Sequence, residues 1–307
     1  MKKAIIIGSH GQDGQLLFDL LKCKNYSIVG IDRGKTNIDI TDKNEVFNLI
    51  KKIKPDEIYY LAAVHQSSQD KLIKDYQLFK SSYQINVFGL LNFLEAVKCF
   101  SPKSRIFYAA SSLIFASTPT TIQNENTPFC PNSVYGITKL DGLLICRLYR
   151  KQHGVFASVG ILYNHESSLR QDNFLSQRII RGAIAIQKHQ SDKLTLGNLK
   201  ARVDWGYAPE YVEAMQQILN HSQPDEFIIA TGKQHSVADF AKITFQYLHL
   251  NWEKYIKENP DLITKEQSSL IGNNLKLFKA TGWKPKVNFK EMIKIMLIQE
   301  GAKIYEK

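Results

Sequence analysis

The stretch Ala4-Ile5-Ile6-Ile7-Gly8-Ser9-His10-Gly11-Gln12-Asp13-Gly14-Gln15-Leu16-Leu17-Phe18-Asp19-Leu20-Leu21 reads as a short apolar strand, a glycine turn and a helix whose leucines recur at helical spacing. Gly8, Gly11 and Gly14 permit a tight turn and let a ligand approach bare backbone. The unpaired N–H groups at the helix start favour an anion such as a pyrophosphate. Taken alone, such a turn is a weak signal. It gains weight from a second strand, Ser27–Ile31, that ends at Asp32, about 20 residues beyond the turn, where a carboxylate accepts hydrogen bonds from an adenosine ribose. Asp32 predicts NAD, whereas Arg33 beside it would suit the 2′-phosphate of NADP, the less favoured cofactor. His10, inside the turn, reads as a loop side chain rather than an acid.

Apolar runs at 57–63, 105–109, 155–162 and 226–230 read as further strands, with helices around 85–96 and through Tyr135 and Lys139. Strand and helix in strict turn predict an α/β fold with a Rossmann-type doubly wound parallel sheet. No linker, repeat or low-complexity tract divides the chain. A smaller C-terminal substrate-binding domain is therefore expected to be interleaved with the sheet. The expected division is 1–163, completed by about 203–235, for the dinucleotide, and 164–202 with 236–307 for the substrate.

The chain has 307 residues, 44% of them apolar, enough to bury a large core. Its 40 Lys and Arg against 29 Asp and Glu give a net charge of +11, which suits an anionic partner such as a nucleotide diphosphate. The lysines are scattered and form no aromatic-basic stripe, so nucleic-acid binding is not expected. Cys23, Cys99, Cys130 and Cys146 lack metal-ligand spacing, and no metal is expected. Met1-Lys2-Lys3 leads straight into a strand and no apolar run approaches the roughly 20 residues of a membrane span. The expected setting is cytoplasmic, with reduced thiols and no membrane partner.

Tyr135-Gly-Ile-Thr-Lys139 places a phenol and an amine four residues apart, on one face of a helix. An ammonium there is expected to lower the phenol's pKa from about 10, so that the phenolate can take a hydroxyl proton. A Tyr-x-x-x-Lys pair is common on solvated helices. Downstream of a dinucleotide turn it predicts a redox enzyme.

Further segments resemble the extended short-chain dehydrogenase/reductase family, and within it the GDP-mannose 4,6-dehydratase branch. They are Gly11-Gln12-Asp13-Gly14, Asp39-Ile40-Thr41-Asp42, Leu61-Ala62-Ala63, Asn86-Val87-Phe88-Gly89, Thr127-Pro128-Phe129, Tyr163-Asn164-His165-Glu166-Ser167, Leu196-Gly197-Asn198-Leu199, Arg202-Val203-Asp204-Trp205-Gly206 and Gly282-Trp283-Lys284-Pro285. The resemblance implies Ser111, Tyr135 and Lys139 as catalytic residues, with Ser111 holding the hydroxyl at sugar C4 and Lys139 the nicotinamide ribose. It implies a cofactor site of Gly8, Gly11, Gln12, Asp13, Gly14, Asp32, Arg33, Asp39, Ile40, Leu61, Ala62 and Ala63, with Tyr135 and Lys139. Ser112, Asn164, Arg178, Gly197, Asn198 and Arg202 would meet a GDP-sugar. His165 and Glu166, a catalytic pair by appearance, become structural neighbours of Asn164.

Three departures from that branch matter. Spacing back from Tyr135 puts Leu113 where the dehydratases carry the glutamate that removes the C5 proton. Only Arg33-Gly34-Lys35-Thr36-Asn37 separates the second strand from Asp39, too short for the branch's tetramer loop, so a homodimer through the helices at 85–96 and 135–150 is expected. Around Lys265-Glu266-Gln267 the branch has a diphosphate-binding arginine and this chain has none. The resulting expectation is an NAD-dependent oxidoreductase at C4 of a GDP-linked manno-configured hexose or heptose, giving or consuming a 4-keto sugar for capsule or lipopolysaccharide. The alternatives are a full 4,6-dehydratase and a non-catalytic nucleotide-sugar binder.

Overall fold

The computed structural model describes residues 1–36, 38–64, 75–262 and 269–305. The apolar runs become the strands β1 (Lys3–Ile7), β2 (Ser27–Ile31), β3 (Glu57–Tyr60), β4 (Arg105–Ser111), β5 (Phe156–Leu162) and β6 (Glu226–Ile229), in the spatial order β6-β5-β4-β3-β1-β2. All neighbours run parallel, with Ile5 opposite both Val29 and Ile58, and Ala110 opposite Ile161. Successive side chains feed two cores. Ile5 and Ile7 pack with Ile58, Tyr60, Phe93 and Leu143 on one face, while Ala4 and Ile6 pack with Leu17, Tyr59, Phe107 and Ile218 on the other. Burial on both faces is why these strands read as unbroken apolar runs. This is the doubly wound sheet expected from the alternation.

The chain leaves β1 for β2 on one side and returns to β3 on the other. That reversal opens a crevice beyond the carboxyl ends of β1 and β3. Two expected elements differ there. The strand expected at 57–63 stops at Tyr60, because after the bond from Leu61 N to the Ile7 carbonyl (2.9 Å) the glycine turn fills the next position. A Cβ on Gly8 would stand 2.8 Å from Ala62 N. The helix expected at 85–96 opens as a π-helical turn, Tyr83–Gly89, before regular helix resumes over Leu90–Phe100. The wide turn buries Asn86, whose Oδ1 accepts from Val64 N (2.9 Å) and whose Nδ2 donates to Thr138 Oγ1 (2.9 Å).

A third core gathers Ile180, Trp205, Phe240, Ile293 and Met296 between the helices Leu175–Gln187, Val237–Tyr247 and Phe289–Gln299. It is stitched to the sheet by short strand pairs. Asn164–Glu166, directly after β5, runs parallel to Trp205–Tyr207, and Arg202–Val203 lies antiparallel to His235–Ser236. Among the described residues no helix is long and apolar enough to cross a membrane.

Candidate active site

The helix Gln12–Cys23 begins at Gly11 without a side-chain cap, so the first N–H groups remain available to an anion. Around it the turn is shaped for backbone approach. A Cβ on Gly14 would meet the Gly8 carbonyl oxygen at 2.2 Å, and Gly8 itself has φ +89°. Leu61, Ala62 and Ala63 line the far wall after β3, and Asp32 closes the end of β2. Asp39 accepts from Thr41 N and Thr41 Oγ1, both at 2.8 Å, and Ile40 is buried in the sheet core below. The predicted residues of the glycine turn stand beside the ends of β2 and β3, with Arg33 exposed, and a glycine cradle with an uncapped helix end fits such a cofactor. Asn37 lies outside the described residues.

On the other side of the crevice Ser111 ends β4, and Tyr135 and Lys139 project from the helix Val134–His153. Ser111 hydrogen-bonds the Tyr135 hydroxyl, and its Oγ also accepts from Leu113 N (3.2 Å). The buried Lys139 donates to the Ala109 carbonyl at 2.8 Å, with its Nζ over the rings of Tyr108 (5.1 Å) and Tyr135 (5.6 Å). The expected depression of the phenol is not found. Burial pushes Tyr135 up to about 12, against a lowering pull from Arg170, and burial holds Lys139 down at about 7. Burial thus works against the standing cation that the four-residue spacing promised. The protein's own groups leave the phenol protonated.

Below the glycine turn sits a buried ionic cluster. His165 Nε2 donates to the Asp13 carboxylate (2.9 and 3.0 Å) and Nδ1 donates to the Tyr163 carbonyl (2.7 Å). Both ring nitrogens face acceptors, which calls for imidazolium. Burial opposes the charge, but Asp13 outweighs it and raises His165, while His165 and Arg170 hold Asp13 at about 2 despite its own burial. Gln12 strengthens the join, its Nε2 donating to the His165 carbonyl (3.1 Å) and its Oε1 accepting from Ser167 Oγ (2.9 Å). The turn is thus bolted to the segment 164–167.

A family model for GDP-mannose 4,6-dehydratase matches residues 5–296. The GDP-mannose 4,6 dehydratase 2 of Arabidopsis thaliana is 35% identical over 97% of this chain and 87% of its own length, and the human GDP-mannose 4,6 dehydratase is 33% identical over 96% and 90%. The chain belongs to the GDP-mannose 4,6-dehydratase family. The same fold is seen in RMD of Pseudomonas aeruginosa complexed with NADPH (TM-score 0.82, 19% identity, 97% of this chain and 98% of that one). It is also seen in dTDP-glucose 4,6-dehydratase of Bacillus anthracis in complex with NAD (TM-score 0.82, 17% identity, 98% and 97%).

Within this GDP-mannose 4,6-dehydratase family member, the remaining predicted residues lie on separate elements. Asn164 is exposed at the start of its strand, and Ser112 is buried behind Ser111. Arg178 reaches across to the Thr195 carbonyl (3.1 Å), two residues before Gly197 and Asn198, and Arg202 donates to the Gln234 carbonyl (3.2 Å) while staying exposed. The segment around Lys265-Glu266-Gln267 lies outside the described residues. Leu113 is partly buried in the turn Ser112–Phe115, its carbonyl pressed where a Cβ on Gly136 would come within 2.7 Å. Sequence reading misses Arg170. Its Nε lies 3.4 Å from Glu166 Oε2, its guanidinium stacks 3.8 Å over the Phe174 ring, and its charge acts on both Asp13 and Tyr135. The Glu166–Arg170 spacing was the only trace of it in the sequence.

Proposed function

We propose that this protein is a nicotinamide-dependent oxidoreductase acting at C4 of a GDP-linked manno-configured sugar, hexose or heptose, with NAD preferred. The observation that carries the reading is the pairing of an intact Ser111, Tyr135 and Lys139 with an aliphatic Leu113 at the position of the family's C5 base. Hydride exchange at C4, and a positive ring charge beside the phenol, are what an oxidised nicotinamide supplies when bound in the crevice. Ser111 and Tyr135 hold the C4 hydroxyl. Tyr135 takes its proton in oxidation and returns it in reduction, with Arg170 favouring the phenolate. Lys139 keeps the ribose side of the site oriented. Leu113 cannot move a proton, and loss of a general base typically costs about 10²–10⁴-fold, so the reaction stops at the 4-keto sugar.

Residues 164–202 and 236–307 would form the sugar-nucleotide half, with Arg178, Gly197, Asn198 and Arg202 along the diphosphate and base. A 4-keto product of this kind would feed an epimerase or reductase in surface-polysaccharide synthesis. Exposed Phe88, Leu144 and Leu148, on the π-turn and the helix that carries Tyr135, support a homodimer through that face. Light scattering should give twice the chain mass, and Leu144→Glu should halve it.

The relatives' own activity favours a second reading, full 4,6-dehydration. Purified protein incubated with GDP-mannose and with a GDP-manno-heptose, followed at 340 nm and by product mass, separates the two. Net reduced cofactor with all oxygens of the sugar retained is expected. Loss of one water without net reduced cofactor would establish the dehydratase, and binding without turnover would leave only a nucleotide-sugar binder.

A further inference from the structure

We propose that the end of the sheet opposite the crevice is a lysine-built docking face for an anionic lipid surface. In a parallel sheet every strand starts, and every crossover helix ends, at the same end of the molecule. Here those ends carry lysines. Lys2 and Lys3 open β1, and Lys22 and Lys24 close the helix Gln12–Cys23. Lys51, Lys52 and Lys54 close the helix Lys43–Ile53, and Lys103 precedes β4. All eight are exposed. Backbone contacts tie these segments into one surface. Ser27 N bonds the Lys2 carbonyl (2.8 Å), Lys3 N bonds Asp56 Oδ2 (2.7 Å), Lys3 Nζ bonds the Ile53 carbonyl (3.2 Å), and Arg105 N bonds the Asp56 carbonyl (2.9 Å). Lysines scattered along the chain are thereby gathered by the fold.

The carboxylates within these segments are Asp56 and the buried Glu57, which accepts from Lys2, Tyr26 and Tyr59. Eight lysines against two carboxylates leave a surplus of six positive charges. Of the eight, only Lys2 is in an ion pair among the described residues. At the far edge, Asp225 and Glu226 beside β6 are already matched by Arg147, Arg150 and Lys276. The make-up of the face favours a diffuse negative plane over a nucleic acid. Its cations are lysines, point charges on flexible stems, whereas Arg105, of the type that grips a phosphate with two prongs, commits its guanidinium to the Leu219 and His221 carbonyls (both 2.9 Å). The rings that could stack on bases are covered, Tyr26 by Lys2 (5.8 Å) and Phe100 by Lys51 (5.9 Å). The helices arrive by their C-terminal ends, so they offer a single phosphate no cluster of free N–H groups. A bilayer surface needs none of these features, only several lysines reaching it at once. The crevice, at the other end of the strands, stays open.

Co-sedimentation with vesicles of phosphatidylcholine alone, and of phosphatidylcholine mixed equally with phosphatidylglycerol, tests this. The protein should bind the mixed vesicles and not the neutral ones. Raising salt from about 0.1 M to about 1 M, which shortens the screening length from about 10 Å to about 3 Å, should release it. Each lysine at such a surface contributes about fivefold to partitioning, so Lys51→Gln, Lys52→Gln and Lys103→Gln combined should weaken binding by about 100-fold. Lys188→Gln, Lys193→Gln and Lys290→Gln combined remove the same charge from the half beyond the carboxyl ends of the strands, and should leave binding within about threefold of the parent. Three results would each overturn the proposal. They are equal or no binding to the two kinds of vesicle, equal weakening by the two triple variants, and tighter binding to a duplex oligonucleotide than to the mixed vesicles at the same salt.

Discussion

Lys139 and His165 are both buried basic groups beside the same crevice, and the protein treats them in opposite ways. Lys139 meets a carbonyl and two aromatic rings, and burial holds it down at about 7. His165 meets the Asp13 carboxylate and a carbonyl, and Asp13 raises it in spite of burial. Depth is not what sets charge here; contact with a carboxylate is. The consequence follows function. The Tyr135–Lys139 side can change protonation state during a reaction, while the Asp13–His165 side is locked as an ion pair and serves to hold the glycine turn against Asn164–Glu166.

The largest test removes the mobile proton. Tyr135→Phe should keep the fold and the cofactor while losing about 10²–10⁴-fold in C4 turnover, measured by steady-state rates alongside cofactor titration. Turnover within a few-fold of the parent would mean that Tyr135 does not carry the proton.

Breaking the locked side should read out in stability instead. Asp13→Asn leaves the His165 imidazolium buried without its carboxylate and should cost about 3–5 kcal/mol in denaturant unfolding. Because the folded pKa of His165 is raised, the pair's stabilisation is complete below the usual histidine value of about 6.5 and fades as pH rises through the higher folded value. Because Asp13 is lowered to about 2, acid removes the pair only as pH falls from the ordinary carboxylate range, about 4, through about 2. Unfolding followed from pH 6 to 9 should show this alkaline loss in the parent and not in Asp13→Asn.

The smallest effect joins the two sides. Arg170 is the cation that pulls the Tyr135 phenol down, so Arg170→Gln should move the phenol's limb of the pH–rate profile upward by about one unit or less. A downward move would show that the guanidinium opposes rather than favours the phenolate.

Much of this was legible from residue spacing. The glycine turn, the strands around Ile5, Ile28 and Phe107, and the helix carrying Tyr135 and Lys139 stand where apolar periodicity puts them. Each is set by neighbours only a few positions away. The contacts that fix charge were not legible. Asp13 and His165 are 152 positions apart and meet only because β5 runs on into Asn164–Glu166 beside the turn. The same long-range packing encloses Tyr135 and Lys139, and burial raises the phenol where spacing alone predicts a lowering. Leu113 was visible as a substitution, but its partial burial against Gly136 belongs to the folded chain alone.

The π-helical turn at Tyr83–Gly89 has a consequence for insertions and deletions. A π turn holds more residues per turn than regular helix, and here the extra length swings Asn86 inward to bridge Val64 after β3 and Thr138 beside Tyr135. Removing one residue would leave a smooth helix that every propensity scale would rate as better. It would also turn Asn86 out of its slot and orphan the Val64 N–H and the Thr138 hydroxyl contact together. The spacing of this segment, more than the identity of most of its side chains, is what a relative of this enzyme cannot trim.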